Sequence, residues 1–241
     1  MTHKEMASQI SRELGLVEEP IAVYYADEKP EQAFQWNCQG GHFCHMGRLT
    51  AVIRGTPLAV DRENPGCGGA AFFLGWNAEM QPGFEEFLSH DADGKGERYK
   101  KTPEIAKAFV EKRSFVPANG RYCIFQRLED LPEKITPEVI VLYGDADDMS
   151  GLLGLANYGR KNQAVIAPFS SGCGSIVSEP RAQGLGPEPK AVLGMFDPSA
   201  RGSVNKNYLT FSAPWQMFIE MLENIPGSFL EIDPWLKLRN R

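Results

Sequence analysis

A mixed α/β fold leaning to α+β, with a mixed sheet flanked by helices in a compact body, is what the sequence predicts. Three observations predict it. Val139-Ile140-Val141-Leu142-Tyr143 is an apolar, β-branched run of strand length. The stretch after it carries Leu152, Leu153 and Leu155 in a helical pattern, and the second half of the chain goes on alternating strand-like and helix-like segments. At the other end, Met6, Ile10 and Leu14 stand four apart among charged residues, which is the pattern of a surface helix. The 241 residues, 42% of them hydrophobic, are enough to bury a sizeable core, as one domain over 1–241 or as two tightly fused halves.

The elements follow in order. After the first helix, Ile21–Tyr25 reads as a short strand between Pro20 and the polar Asp27-Glu28-Lys29-Pro30. Residues 36–47 pack Cys38, His42, Cys44 and His45 into one loop, and Leu49–Ile53 follows as a helix or a strand. A turn through Pro65-Gly66-Cys67-Gly68-Gly69 runs into a short buried helix at 70–76, and 77–120 reads as surface helices around a polar loop, 91–96. Strands are expected at Tyr122–Leu128, Val139–Tyr143, Gln163–Pro168, Ala191–Phe196 and Tyr208–Ser212. Helices are expected at Asp147–Tyr158, capped by Asp147 or Asp148, and at Pro214–Leu222 with proline at the start. Between them, Ser170–Ser175 forms a turn, followed by a short element that Pro180 breaks. The acidic trio Asp145, Asp147 and Asp148 is read as a helix cap whose charges complement the dipole, in preference to a cation site.

Charge and composition exclude several classes. With 25 Lys+Arg against 31 Asp+Glu the net charge is −6, and no basic run interrupts it, so nucleic acid is not an expected partner. No stretch approaches the roughly 20 apolar residues of a membrane span, and the N-terminal segment lacks the apolar core of a signal peptide. A cytoplasmic protein with reduced thiols is therefore expected, its five cysteines serving something other than a disulfide framework. No Walker A, Rossmann or Gly-x-Ser-x-Gly pattern is present.

The chemistry concentrates on the cysteines. Cys67 and Cys173 each stand between glycines, with small residues next and an apolar element after; Cys44 precedes Met46–Ile53 in the same way. Flanking glycines let a backbone turn tightly and let bulky groups approach it. A cysteine opening a helix has free N–H groups and the dipole to favour its thiolate, so three such turns converging would suit an anionic, thiolate-ligated centre. Four thiolates suit a [4Fe–4S] cluster or zinc; three with an open position suit a cluster with a substrate-binding iron or a Cys3His zinc site. No Cys-x-x-Cys is present, so neither a zinc ribbon nor a ferredoxin-type motif is indicated, and the ligands would be gathered by tertiary folding. The expected ligands are Cys44, Cys67, Cys173 and Cys38, with His42 and His45 as weaker candidates. Cys123, inside Arg-Tyr-Cys-Ile-Phe-Gln, reads as a core residue. His3 and His90 read as surface residues, and Arg48, Arg54 and Asn64 stand near enough in sequence to be weighed as neutralising groups.

Several motifs as a set resemble the prokaryotic family known as domain of unknown function 169. They are Leu14-Gly15-Leu16 with Pro20-Ile21-Ala22-Val23, Cys44 before an apolar helix, Glu63-Asn64-x-x-Cys67-x-Gly69-Ala70-Ala71-x-x-x-Gly75, Val139-Ile140-Val141-Leu142-Tyr143-Gly144, and the Cys173 segment ahead of Pro180. The resemblance runs from about Leu14 to Ile225, and the family's matching cysteines are Cys44, Cys67 and Cys173. It implies a soluble protein of a kind common in anaerobes and archaea, where oxygen-sensitive clusters are common. Cys38, His42 and His45 are additions to the family pattern. The leading expectation is an iron–sulfur protein with one [4Fe–4S] cluster, serving redox or small-substrate chemistry, whose partner is a small molecule or a redox protein. The alternatives are a metal-free small-molecule-binding or scaffold protein, a zinc enzyme, or an enzyme using a cysteine nucleophile such as Cys173.

Overall fold

The computed structural model describes residues 1–35, 44–90 and 96–239. Eight strands form one mixed sheet: β1 (Ile21–Ala26), β2 (Phe34–Gln35), β3 (Leu58–Asp61), β4 (Tyr122–Arg127), β5 (Val139–Gly144), β6 (Val165–Ile166), β7 (Ala191–Gly194) and β8 (Leu209–Pro214). The helices are α1 (His3–Leu14), α2 (Leu49–Ile53), α3 (Gly68–Phe73), α4 (Phe84–Ser89), α5 (Pro103–Glu111), α6 (Ala146–Asn157), α7 (Glu179–Gly184), α8 (Pro198–Arg201), α9 (Trp215–Glu223) and α10 (Asp233–Arg239). A 3-10 turn at His45–Arg48 leads into α2, and a π-helical turn at Gly174–Ser178 leads into α7. Among the described residues no helix is long and apolar enough to cross a membrane.

The strand order is β2-β3-β4-β1-β5-β8-β7-β6. It repeats itself: β1 to β4 lie in the order 2-3-4-1, and β5 to β8, counted from the far edge, lie in the order 6-7-8-5. The pairing senses repeat too. Within each set the edge pair, β2–β3 and β6–β7, is parallel and the others are antiparallel. At the junction β1 meets β5 antiparallel, Ile21 facing Val141 and Val23 facing Val139 about the Ala22–Ile140 pair. That register is its own image under a two-fold rotation perpendicular to the sheet. Such a rotation keeps each face on its own side, so the crossover of each parallel pair lands on the same face. These crossovers carry Cys44 and Cys173.

Alternation of side chains divides the interior into two cores. Ala22, Tyr24, Ile124, Ile140 and Leu142 face α1, α6, α9 and α10, where Ile10, Leu152, Phe218 and Trp235 fill the space. Ile21, Val23, Phe125, Val139 and Val141 face the crossovers, where Met46, Leu49, Val52, Phe73, Ile176 and Val177 pack. Strands buried on both faces explain why β5 reads as an unbroken apolar run.

Several elements depart from the sequence reading. β3 was not anticipated, because Leu-Ala-Val-Asp is too short to show a period; its pairing with β4 makes it a strand. The cap of α6 is Asp145, two residues before the first of the expected pair. Its Oδ1 accepts from the N–H groups of Asp147 (2.9 Å) and Asp148 (3.2 Å), and Asp148 reaches back to the Asp145 N–H (2.9 Å). Asp145→Ala is expected to cost about 1 kcal/mol and to lower the melting temperature by about 2–4 °C in a thermal denaturation. Pro180 does not break its element: helical backbone continues over 172–184. Proline falls in the first turn of α7, where the ladder returns from π to α spacing and a missing N–H costs little. His3 is buried, donating from Nδ1 to the Leu131 carbonyl (3.1 Å) and meeting Trp215 edge-on.

Candidate functional site

Cys44, Cys67 and Cys173 line one cavity of about 700 Å³. Each reaches it from a different connection. Cys44 stands just before the 3-10 turn of the β2–β3 crossover, Cys67 is the N-cap of α3 in the β3–β4 connection, and Cys173 lies in the β6–β7 crossover. The Cys67 Sγ accepts the Ala70 N–H at 3.3 Å. Cys173 is not a cap, contrary to the simplest expectation. Ser171 caps that helix, its Oγ accepting from the Gly174 N–H at 3.0 Å, and Cys173 sits in the first turn with helical φ and ψ.

The glycines beside Cys173 explain how the three segments close up. A Cβ at Gly172 would stand 3.0 Å from Cγ of Met46, which belongs to the Cys44 segment; a Cβ at Gly174 would stand 3.1 Å from the ring of Phe73, on the helix that Cys67 caps. Nearer still to Gly174 is the Ser170 hydroxyl of its own turn, and Ala200 crowds Gly172 as closely as Met46 does, so glycine on the two flanks answers both the local turn and the approach of the other cysteine-bearing segments. Local turn and tertiary packing together set the thiols around one space.

Without a bound cation the thiols hold their protons. Burial raises the pKa of Cys44 against the pull of the Met46 and Gly47 N–H groups, and burial likewise raises Cys67 against the Ala70 N–H. Cys173 is pushed well above the ordinary thiol value, first by burial and then by the negative charge that Cys44 and Cys67 would carry beside it. Helix-end N–H groups thus lower these values less than burial and neighbouring negative charge raise them, which corrects the expectation of ready thiolates. A buried, protonated Cys173 is also a poor nucleophile.

The remaining walls come from residues that the sequence did not single out. Phe84, Phe87 and Leu88 of α4, with Phe109 of α5 and Phe169, form an apolar wall facing the thiols. A polar edge comes from Glu97, Tyr99, Lys100, Asp197 and Ser199. Asp197 is its organiser: Oδ1 accepts from the Tyr99 hydroxyl (2.9 Å), the Ser199 N–H (3.0 Å) and the Ser199 hydroxyl (2.8 Å), while Oδ2 accepts from the Gly172 N–H (3.2 Å). One buried carboxylate therefore joins the Cys173 turn to the strip bearing Tyr99. Glu97 is raised by burial, opposed by a hydrogen bond from Ser199. Arg98 (φ 54°) and Met195 (φ 64°) are the two non-glycine residues with positive φ among those described. Each lies within two residues of a cavity-lining side chain, Tyr99 and Asp197, where backbone strain commonly marks a site that the fold has been built to hold.

Other sequence candidates fall elsewhere. Cys123 is fully buried in β4 beside Tyr25, its thiol pushed up to about 12 by burial, and it packs as a core residue. His45 is buried behind the cavity lining, and burial pushes its pKa down to about 4, opposed by the Pro65 backbone. Arg48, Arg54 and Asn64 do not line the cavity. His90 is exposed and pairs with Glu86 at 2.9 Å. Cys38 and His42 lie outside the described residues. Among the described residues, no three His, Cys, Asp or Glu side chains stand close enough together to hold a single metal ion.

The profile of the domain of unknown function 169 family, described as uncharacterised ArCR, matches residues 9–224, and the chain belongs to that family. No curated protein matches the sequence. No solved structure matches it.

Proposed function

We propose that this member of the family holds an iron–sulfur centre, a [4Fe–4S] cluster, through Cys44, Cys67 and Cys173, and that the cavity admits a small substrate to it. The observation that carries the reading is the convergence of three thiols from three connections, far apart in sequence, on one cavity. Cys38, in the undescribed stretch just ahead of Cys44, is the candidate fourth thiolate.

The donor set fits such a group. Thiolates are the usual ligands of iron–sulfur clusters, and N–H groups directed at their sulfurs tune the charge; Cys44 and Cys67 both receive them. Cys44 raises Cys67, and both raise Cys173, so the three thiols are deprotonated together when a cation joins them. A single zinc ion gathers its sulfur ligands to about 2.3 Å from one point, whereas a cluster offers separate irons and so suits thiols that stand further apart. When bound, a [4Fe–4S] cluster supplies electron transfer or, at an iron left open, Lewis-acid binding of substrate. The chain's own part is to hold the thiols by three-way packing, to exclude water with the phenylalanine wall, and to place hydrogen-bonding groups at the polar edge.

The test is iron, zinc and acid-labile sulfide analysis with an absorption spectrum on anaerobically purified protein. About four iron and four sulfide per chain with broad absorption near 400 nm are expected. About one zinc without sulfide would replace the cluster by zinc chemistry, and no metal after anaerobic reconstitution would leave a metal-free small-molecule pocket.

A further inference from the structure

We infer that the cavity is a receptor for a small carboxylate with an apolar, preferably aromatic, body, and that Lys100 is the group that recognises its charge. The inference rests on the cavity assigned above but not on what the cysteines bind. Lys100 lines the cavity, and its ammonium lies 3.7 Å from the centre of the Phe109 ring and 5.2 Å from that of Phe169. Its backbone N–H bonds to the Leu88 carbonyl (2.8 Å) and the Glu97 N–H to that of Phe87 (2.8 Å), so α4 fixes the strip that carries it.

What sets Lys100 apart is that it has aromatic faces for company and, among the described residues, no carboxylate paired with it. The neighbouring cation, Arg113, also lies over Phe109 (4.3 Å), but it is committed to Glu179 and to the Phe169 carbonyl. Asp197 accepts four hydrogen bonds from Tyr99, Ser199 and Gly172, and among the described residues no ion pair joins Lys100 to Asp197 or Glu97. A cation held over aromatic faces in a partly desolvated cavity gains more from an incoming anion than one in open water. The same rings that hold the ammonium offer stacking partners for the body of the ligand. A carboxylate seated on Lys100 directs the rest of the molecule along the phenylalanine wall, opposite the three thiols.

The test is isothermal titration of the full-length protein with phenylacetate, phenylacetamide and phenethylamine, which share a body and differ in charge. Phenylacetate is expected to bind about tenfold tighter than phenylacetamide. Lys100→Met and Lys100→Gln are both expected to abolish that preference, while Lys100→Arg keeps it; circular dichroism checks that each variant is folded. Equal binding of all three probes, preference for the amine, no binding of any probe, or a preference that survives in folded Lys100→Met would overturn the inference. Iron is measured on the same samples. A Lys100-dependent preference in protein that takes up no iron defeats the cluster alone, and iron-loaded protein without the preference defeats the carboxylate receptor alone.

Discussion

Cys44→Ser, Cys67→Ser and Cys173→Ser are each expected to remove most of the protein-bound iron and the absorption near 400 nm. Cys123→Ala is expected to keep both and to cost only about 1–2 kcal/mol of stability through lost packing. The contrast follows from position. Cys44, Cys67 and Cys173 face the cavity from three connections, whereas Cys123 is sealed in the sheet. Serine keeps the size and loses the soft donor, so a drop in iron without a drop in melting temperature of the metal-free protein would report ligation itself. Iron and sulfide analysis of the four variants, purified anaerobically side by side, is the measurement. Full retention of iron in any one of the first three would remove that cysteine from the ligand set.

Arg181→Met is expected to cost about 3–5 kcal/mol, lowering the melting temperature by on the order of 10 °C. Its guanidinium is buried at the meeting point of four elements. Nε donates to Glu138 (2.6 Å), just ahead of β5; Nη1 donates to the Val116 carbonyl (3.0 Å) and, at longer range, to the Tyr25 hydroxyl (3.4 Å); Nη2 donates to the Pro117 carbonyl (2.9 Å). The charge also lies over the Tyr25 ring at 4.5 Å, and that tyrosine donates in turn to the Leu74 carbonyl (2.7 Å) at the end of α3. Removing the cation leaves the half-buried Glu138 carboxylate and two carbonyls without their donor together, and losing one partner of such a network costs more than the pair contributed. Because the network ties the helix that follows Cys173 to the end of the helix that Cys67 caps, iron retention should fall as well. Urea denaturation of wild type and variant gives the energy, and a loss below about 1 kcal/mol would show that the buried pair is not the tie described.

Legibility in the sequence followed burial pattern. β5 and α9 could be read because a strand buried on both faces is an apolar run and an amphipathic helix keeps its period. β2 and β3 could not, being short and defined by the strand beside them, and β6 could be read only as the longer run Gln163–Pro168. The cysteines stood out because a Cys between small residues at a turn is an uncommon pattern. The rest of the cavity did not. Phe84, Phe87, Phe109 and Phe169 look like ordinary surface-helix and loop residues until α4 and α5 fold over the thiols, and Lys100 looks like any lysine until its neighbours prove to be rings. The Asp197-Pro198-Ser199 sequence did carry a signal, that of a helix cap followed by proline, but it announces only α8. That Asp197 also holds the Gly172 N–H is a tertiary fact.

The distribution of the thiols over both four-strand sets bears on how the protein matures. Cys44 and Cys67 precede β4 in the chain, whereas Cys173 lies in the second crossover, which packs beside Met46 in the finished fold. A fragment ending before β6 lacks Cys173 and with it one wall of the cavity. Under the function proposed above, the three ligands coexist only once both halves of the sheet are made, so the centre would be assembled in a chain whose second crossover is already in place.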